Sequence, residues 1–320
     1  MKLRTLLGSA IAGLGGIVAA NRRLRSTTDL PPALNGRQQS YRWRGLDVEY
    51  TEAGDPEAPD LVVLHGINAA GSSGEFRELI DSLADNYHVV APDLPGFGRS
   101  DRPPLSYSST LYTEFVGDFL AEFESPAVIA SSLTAAYTLG ALTEEGTDHE
   151  VSDLLLICPT AIGGPQPPKG WLRELLRAPV VGEGLFNLIA SKPSIRYFNA
   201  DHGYYDPTKV TEDWQDYEWQ TAHQPNARFA PASFISGYLN SEVELADAIR
   251  SLDVSTTIVW GRDADITPLS DGRELADEAD ATLVVFDRAL LLPHVEFPEK
   301  FLEVVDDRID ADIATERPAD

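Results

Sequence analysis

A serine lies at the junction of a predicted strand and a predicted helix, where its hydroxyl could act as a nucleophile. Ser132 follows the short apolar run Ala127–Ala130 and precedes a helical pattern. A serine hydroxyl is a weak nucleophile unless a nearby base removes its proton. The sequence offers His294 as a base, and Asp263 and Asp265 as carboxylates that could orient it.

The chain around these residues alternates short apolar strands with helical patterns from Tyr41 onward. This alternation predicts an α/β fold with a mostly parallel central sheet and helices on both faces. The pattern breaks at about residues 161–240, where 12 of the 28 aromatic residues lie, and we predict a helical cap insertion there. Two interpretations of these aromatic side chains stay open. They line an apolar pocket, or they form the small core of the insertion itself.

Two loop motifs, each directly after a predicted strand, carry a family resemblance. They are His65-Gly66 and the run Asp93-Leu94-Pro95-Gly96-Phe97-Gly98. Together they resemble the α/β-hydrolase fold superfamily, over about residues 41–310. The resemblance implies one α/β-hydrolase domain, serine-based ester hydrolysis without a cofactor, and a Ser-Asp-His triad.

The resemblance places the nucleophile at Ser132. In this family the serine lies in the pattern Gly-x-Ser-x-Gly, and the two glycine positions are Ala130 and Thr134 here. The family's oxyanion hole is built from two backbone N–H groups, which the resemblance assigns to Ile67 and Leu133.

The two remaining triad positions carry aliphatic residues. The family run Trp-Gly-x-x-Asp-x-x-x-Pro places its acid at Ala264, between Asp263 and Asp265. The family histidine falls on Leu291. His294 matches a second histidine that usually packs beneath the site in this family. It is therefore either a structural residue or a substitute base.

The charge balance and the absence of certain motifs exclude several function classes. The chain has 51 acidic and 25 basic residues, a net charge of −26, which argues against nucleic acid and disfavours docking on anionic lipid. Abundant acid with few lysines predicts adaptation to high salt. There is no Cys-x-x-Cys, no His-x-x-x-His and no glycine-rich phosphate loop, so we predict no metal and no cofactor. With one cysteine, Cys158, the chain has no intrachain disulfide.

The first 25 residues differ from the rest of the chain. Lys2 and Arg4 precede the uncharged run Thr5–Ala20, and three arginines follow it. A helix of this run is shorter than the roughly 30 Å hydrocarbon core of a bilayer. A short membrane anchor, a cytosolic helix or disordered leader, and a cleaved signal peptide all remain open, so the protein is either membrane-associated or cytoplasmic. We predict a linker at residues 26–40 and a tail at 311–320.

Three functional hypotheses follow. The first is a catalytically impaired member of the family, a pseudoenzyme that binds a small apolar molecule, an ester or a partner in a capped pocket. The second is an active esterase-like hydrolase in which Ser132 attacks, His294 is the base, and Asp263 or Asp265 orients it. The third is a cofactor-free lyase or isomerase reaction in the same pocket.

Overall fold

A mixed β-sheet forms the centre of the protein in the computed structural model, which describes residues 15–25, 28–144, 146 and 150–309. The strands of this part of the chain are β1 (Arg37–Trp43), β2 (Leu46–Ala53), β3 (Asp60–Leu64), β4 (His88–Pro92), β5 (Ala127–Ser131), β6 (Asp153–Ile157), β7 (Ser255–Gly261) and β8 (Thr282–Phe286). Their order across the sheet is β1-β2-β4-β3-β5-β6-β7-β8.

The sheet is antiparallel at one edge and parallel elsewhere. β1 and β2 form an antiparallel hairpin, β2 pairs antiparallel with β4, and every other pairing is parallel. In β5 and β6 every residue is buried, although neighbouring residues of a strand face opposite sides. Both faces of the sheet are therefore covered, which confirms the predicted α/β-hydrolase fold class.

The helices of the described residues alternate with the strands, except in the cap. Before the cap they are α1 (Ile80–Leu83), α2 (Ser109–Leu120) and α3 (Leu133–Leu142). Within the range predicted for the cap they are α4 (Gly170–Arg177), α5 (Val181–Ile189), α6 (Lys192–Phe198), α7 (Glu212–Ala222) and α8 (Phe229–Ile235). After the cap they are α9 (Leu245–Ser251), α10 (Leu269–Ala279), α11 (Pro293–Glu296) and α12 (Pro298–Arg308).

The segment predicted as a linker is partly regular structure. Residues 37–40 belong to β1 because they pair with β2 in a register that runs from Arg37 opposite Glu52 to Trp43 opposite Leu46. Before the strand, Leu30 and Leu34 are buried. The hairpin turns at Arg44-Gly45, where both residues have a positive φ.

The described part of the N-terminal segment is helical at residues 15–24 and lies on the cap. The Asn21 amide donates to the Val180 carbonyl at 2.9 Å, and Arg25 forms an ion pair with Glu183 at 2.7 Å. Among the described residues, no helix has the length and apolar character needed to cross a bilayer. Residues 1–14 of the predicted leader and the predicted tail 311–320 lie outside the described residues.

Candidate active site

The turn between β5 and α3 holds Ser132 in a strained backbone conformation. Its φ is 56° and its ψ is −128°, and its N–H donates to the Ile157 carbonyl at 2.9 Å. A non-glycine residue in such a region costs on the order of 1–3 kcal/mol and persists only where the surroundings enforce it. The sharp strand-to-helix turn expected around Ser132 is present, and the serine is only partly buried.

Thr134, which stands at a family glycine position, forms a specific bond at this turn. Its hydroxyl donates to the His65 carbonyl at 2.7 Å, and the residue is fully buried. The hydroxyl thus ties the first turn of α3 to the loop after β3. Threonine is tolerated at this glycine position because its buried hydroxyl has a hydrogen-bond acceptor in the His65 carbonyl.

His65 serves the same loop through its ring. Nε2 accepts from the Leu94 N–H at 3.0 Å, and Nδ1 lies 2.8 Å from the Gly66 carbonyl. These partners require the proton on Nδ1, because Nε2 must be an acceptor and the carbonyl needs a donor. His65 is therefore a buried bridge between two loops.

The two residues assigned to the oxyanion hole lie on either side of the turn. Leu133 is the first residue of α3, so its N–H has no acceptor within the helix. Ile67 follows Gly66, whose Cα is so near the turn that an added Cβ would lie 3.4 Å from the Ser132 Cβ. Both Ile67 and Leu133 are buried.

Glu75 contributes a carboxylate to this site that the sequence did not predict. It lies on a 3₁₀ turn (Ser73–Phe76), and its side chain is only 10% exposed. Oε2 accepts from the Gly66 N–H at 2.8 Å, and Oε1 lies 3.2 Å from Nε2 of His294. Burial by itself raises the pKa of Glu75. The adjacent His294, the Ser131 hydroxyl and the Gly66 N–H together outweigh burial and hold that pKa below its usual value.

His294 is fully buried at the start of α11, directed at Glu75. Its ring centroid lies 5.6 Å from those of Phe76 and Phe301. Within the described residues, Nδ1 of His294 has no hydrogen-bond partner, and its Nε2 approaches Oε1 of Glu75 outside normal hydrogen-bond geometry. The carboxylate beside His294 is therefore Glu75.

The two aspartates proposed as the acid lie on the surface after β7. Asp263 accepts from the Arg288 N–H at 3.1 Å and is exposed, as is Asp265. Ala264 between them is buried. The structure thus brings Ser132 and Glu75 to one place, with His294 behind Glu75.

The position of the family histidine is held by the cap. The Leu291 N–H donates to the His202 carbonyl at 3.3 Å. Nearby, the buried Glu296 carboxylate accepts from the N–H groups of Tyr205 and Asp206, both at 3.0 Å. Backbone hydrogen bonds therefore fix the loop after β8 to the cap.

A second polar contact joins the cap to the body. Arg77 donates to the Tyr204 hydroxyl at 3.0 Å and lies 3.9 Å from the centre of the Trp214 ring. Close by, Glu218 accepts from the Asn199 amide at 2.7 Å, and burial raises the pKa of Glu218 to about 7.

We expect Glu75→Gln to lower the free energy of unfolding at pH 7 by on the order of 2 kcal/mol, because it removes the buried carboxylate that accepts from the Gly66 N–H and contacts the His294 ring. The folded-state pKa of Glu75 is lowered, so its contribution is complete above the usual glutamate pKa of about 4.3 and is lost as the pH falls further. The difference between wild type and variant should therefore shrink on acidification, as measured by denaturant unfolding at several pH values.

Glu78→Gln is the matched control for this measurement, because the Glu78 side chain is 48% exposed. It should change the free energy of unfolding by no more than about 0.5 kcal/mol. Equal effects of the two substitutions would show that the Glu75–His294 contact contributes nothing.

Comparisons with known proteins identify the family. A family model described as alpha/beta hydrolase family matches residues 61–304. An uncharacterized hydrolase of Saccharomyces cerevisiae is 33% identical over 120 residues, which cover 33% of this chain and 41% of the yeast protein. A 2-hydroxy-6-oxo-6-(2'-aminophenyl)hexa-2,4-dienoic acid hydrolase of Metapseudomonas resinovorans is 23% identical over 270 residues, 80% of this chain and 85% of that protein.

The fold agrees with a solved structure as well. A 2-hydroxy-6-oxo-6-phenylhexa-2,4-dienoate hydrolase from Rhodococcus sp. strain RHA1 superposes with a TM-score of 0.68 at 23% identity. The superposition covers 86% of this chain and 99% of that one. Because the family model spans more than half of the sequence, the chain belongs to the α/β hydrolase family.

Proposed function

We propose that this protein binds a small apolar carbonyl compound beside Ser132 and has lost efficient hydrolysis. The observation that carries the proposal is the setting of His294, the histidine that the sequence offers as a substitute base. Nε2 of His294 lies against Glu75, and the rest of its ring lies between two phenylalanines. Leu291, at the family position for the base, has no group that can accept a proton.

The effect of losing the base on the rate of hydrolysis can be predicted. Without a base, the oxyanion hole and binding alone leave roughly 10³–10⁴-fold acceleration over water. The contacts of Glu75 give Glu75 and His294 a structural role. The Glu75 carboxylate accepts from the Gly66 N–H at 2.8 Å, so the two residues support the loop that carries Ile67.

The retained parts of the site indicate the ligand class. The Ser132 turn is still strained, and the N–H groups of Leu133 and Ile67 flank it. Two such donors fit a carbonyl oxygen. The relative from Metapseudomonas resinovorans is named for an oxo acid with an aromatic ring, which supports an apolar oxo compound or ester as the ligand.

An active serine hydrolase is the second candidate, and the backbone of Ser132 favours it. A φ of 56° at a serine is costly and is typical of a nucleophile turn. In this candidate His294 would be the base, and Glu75 would orient it in place of Asp263 or Asp265.

A fluorophosphonate probe, used in molar salt, distinguishes the two candidates because it labels only an activated serine. We expect no labelling of the folded wild type. The double substitution Ala264→Asp/Leu291→His places an acid and a base at the family positions. It should introduce labelling at Ser132 and raise hydrolysis of 4-nitrophenyl butyrate by roughly 10²–10⁴-fold, the usual contribution of a general base.

The control variant Ala264→Asp/Leu290→His carries the same residues with the histidine one position away, and it should stay unlabelled. Adding Ser132→Ala to the first double variant should abolish its labelling. If wild type is labelled, and the label is lost in Ser132→Ala and in His294→Gln, the impaired reading is wrong and the second candidate holds.

Binding of the carbonyl ligand has its own test. Benzylacetone, an aryl ketone, should raise the Tm of wild type in proportion to RT ln(1 + [ligand]/Kd). Butylbenzene is similar in size and lacks the carbonyl, so we expect a smaller shift with it. Equal shifts with the two compounds would contradict recognition through the N–H groups of Ile67 and Leu133.

We also propose that the N-terminal segment tethers the protein to a membrane. The uncharged run Thr5–Ala20 lies between basic residues, and the part of the segment that the structure describes is helical. A segment too short to span can still bind a bilayer interface through its apolar side chains.

Vesicle flotation of the full chain tests the tether. Leu7→Glu/Ile11→Glu should lower the vesicle-bound fraction, with affinity reduced about tenfold or more, because two apolar side chains are lost from the bilayer. Leu105→Glu/Ile266→Glu makes the same charge change at exposed apolar residues of the body and should leave binding unchanged. Two results would contradict the tether. Either both variants still bind vesicles like the wild type, or both lose binding to the same extent.

A further inference from the structure

We propose that the outer face of the cap, together with the N-terminal helix, docks on an anionic lipid bilayer. This cap face is defined by six apolar side chains that are between 36% and 70% exposed: Trp171, Leu175, Val181, Leu188, Ile17 and Leu24. Single exposed apolar residues are ordinary, whereas a contiguous group is typical of an interaction surface. The proposal goes beyond the tether, because it places folded cap residues in the headgroup region.

The members of the cap face lie on adjacent helices. Trp171 and Leu175 are four residues apart on α4, and Val181 and Leu188 are seven apart on α5, so each pair lies on one side of its helix. α5 begins against the end of α4, since a Cβ added at Gly182 would lie 2.5 Å from the Leu175 carbonyl oxygen.

The N-terminal helix adjoins this pair on the α5 side. A Cβ added at Gly184 would lie 3.1 Å from Cγ2 of Ile17. The Asn187 amide donates to the Asn21 side chain at 3.1 Å, and Arg25 is paired with Glu183. The apolar surface of the cap is therefore continuous with the N-terminal helix, which contains the last residues of the uncharged run Thr5–Ala20.

The charge beside the cap face differs from that of the whole protein. A cleft of about 300 Å³ is lined by the basic residues Arg23, Arg25 and Lys192 and by the acidic Asp216, with Trp219. Arg25 is paired with Glu183, and Lys192 with Asp216 at 2.5 Å, so the excess positive charge comes from Arg23 and the leader before it. The first 25 residues contain five basic and no acidic residues, in a chain of net charge −26. The overall charge disfavours anionic lipid, but this one surface suits it.

Phosphate headgroups and acyl chains match the two halves of this surface. Basic side chains near a bilayer attract anionic headgroups, and the attraction falls off within a Debye length. Tryptophan favours the boundary between headgroups and hydrocarbon because its ring is apolar and its N–H is polar. The mixture of exposed apolar helices and a basic cleft is that of an interfacial membrane contact.

The single natural cysteine makes the proposal directly measurable. Cys158 is 2% exposed, and burial raises the pKa of its thiol to about 12, so thiol reagents at neutral pH react with an introduced surface cysteine instead. The full chain is prepared as Leu188→Cys or Ile266→Cys, each carrying the environment-sensitive dye NBD. Leu188 is 70% exposed on the cap face, and Ile266, 55% exposed, lies on the loop after β7 outside it.

Vesicles contain equal parts of phosphatidylcholine and phosphatidylglycerol. We expect NBD at position 188 to shift to shorter wavelength and brighten severalfold when vesicles are added, and NBD at position 266 to stay unchanged. A second labelled variant, Trp171→Cys, should behave like Leu188→Cys, which guards against failure of one variant to fold. Arg23→Gln/Lys192→Gln should reduce the preference for phosphatidylglycerol over pure phosphatidylcholine.

The alternatives give different results. If the chain floats with vesicles but both dyes on the cap face report water, the N-terminal tether holds and the docking proposal is overturned. A shift at position 266 equal to that at 188 overturns it too, because the contact is then not specific to the cap face. None of these outcomes depends on whether Ser132 is an active nucleophile.

Discussion

One buried carboxylate joins three segments of the candidate site. Glu75 contacts the Gly66 N–H in the loop after β3, the Ser131 hydroxyl at the end of β5, and His294 in α11. Taking a carboxylate out of water is costly unless it gains hydrogen bonds or an opposite charge. Glu75 has hydrogen-bond donors from Gly66 and Ser131 and the His294 ring beside it, so three segments that are distant in sequence meet at one buried carboxylate.

Much of the fold was predictable because the central strands are short apolar runs. The predicted run Ala127–Ala130 differs from the observed strand β5 by one residue at its end. The serine turn was predictable for the same reason, because it follows directly on the best-defined strand. The β1 strand was missed at residues 37–40, since its polar residues alternate weakly and lie at a sheet edge.

Glu75 was not predictable in the same way. It lies on a 3₁₀ turn before α1, and a glutamate in the connection between two strands is expected to face solvent. The available signal was that Glu75 ends an uncharged run that starts at Gly66. The burial of a charge depends on partners from other segments, and a single sequence does not reveal which segments meet.

Several cap aromatics fit neither of the two interpretations, because they join the cap to the body or lie at the surface. Tyr204 is buried with Val210 and Val295, which joins the cap to the body instead of forming a separate core. Trp214 lies against Arg77 and Gly74 of the body. Trp171, Tyr197, Phe198 and Tyr205 are exposed. The aromatic content of residues 161–240 helped to predict an insertion there, but it could not predict which way each ring faces.

The bond from Thr134 to the His65 carbonyl has a mechanical consequence. It joins the loop after β3 to α3, and the ring of His65 joins the same loop to Leu94. This loop is therefore held at two points. Loss of the Thr134 hydroxyl would therefore free this loop from α3 while His65 still held it to Leu94. Ile67 lies two residues after His65, so the spacing between the N–H groups of Ile67 and Leu133 is set by these two buried bonds and not by the cap.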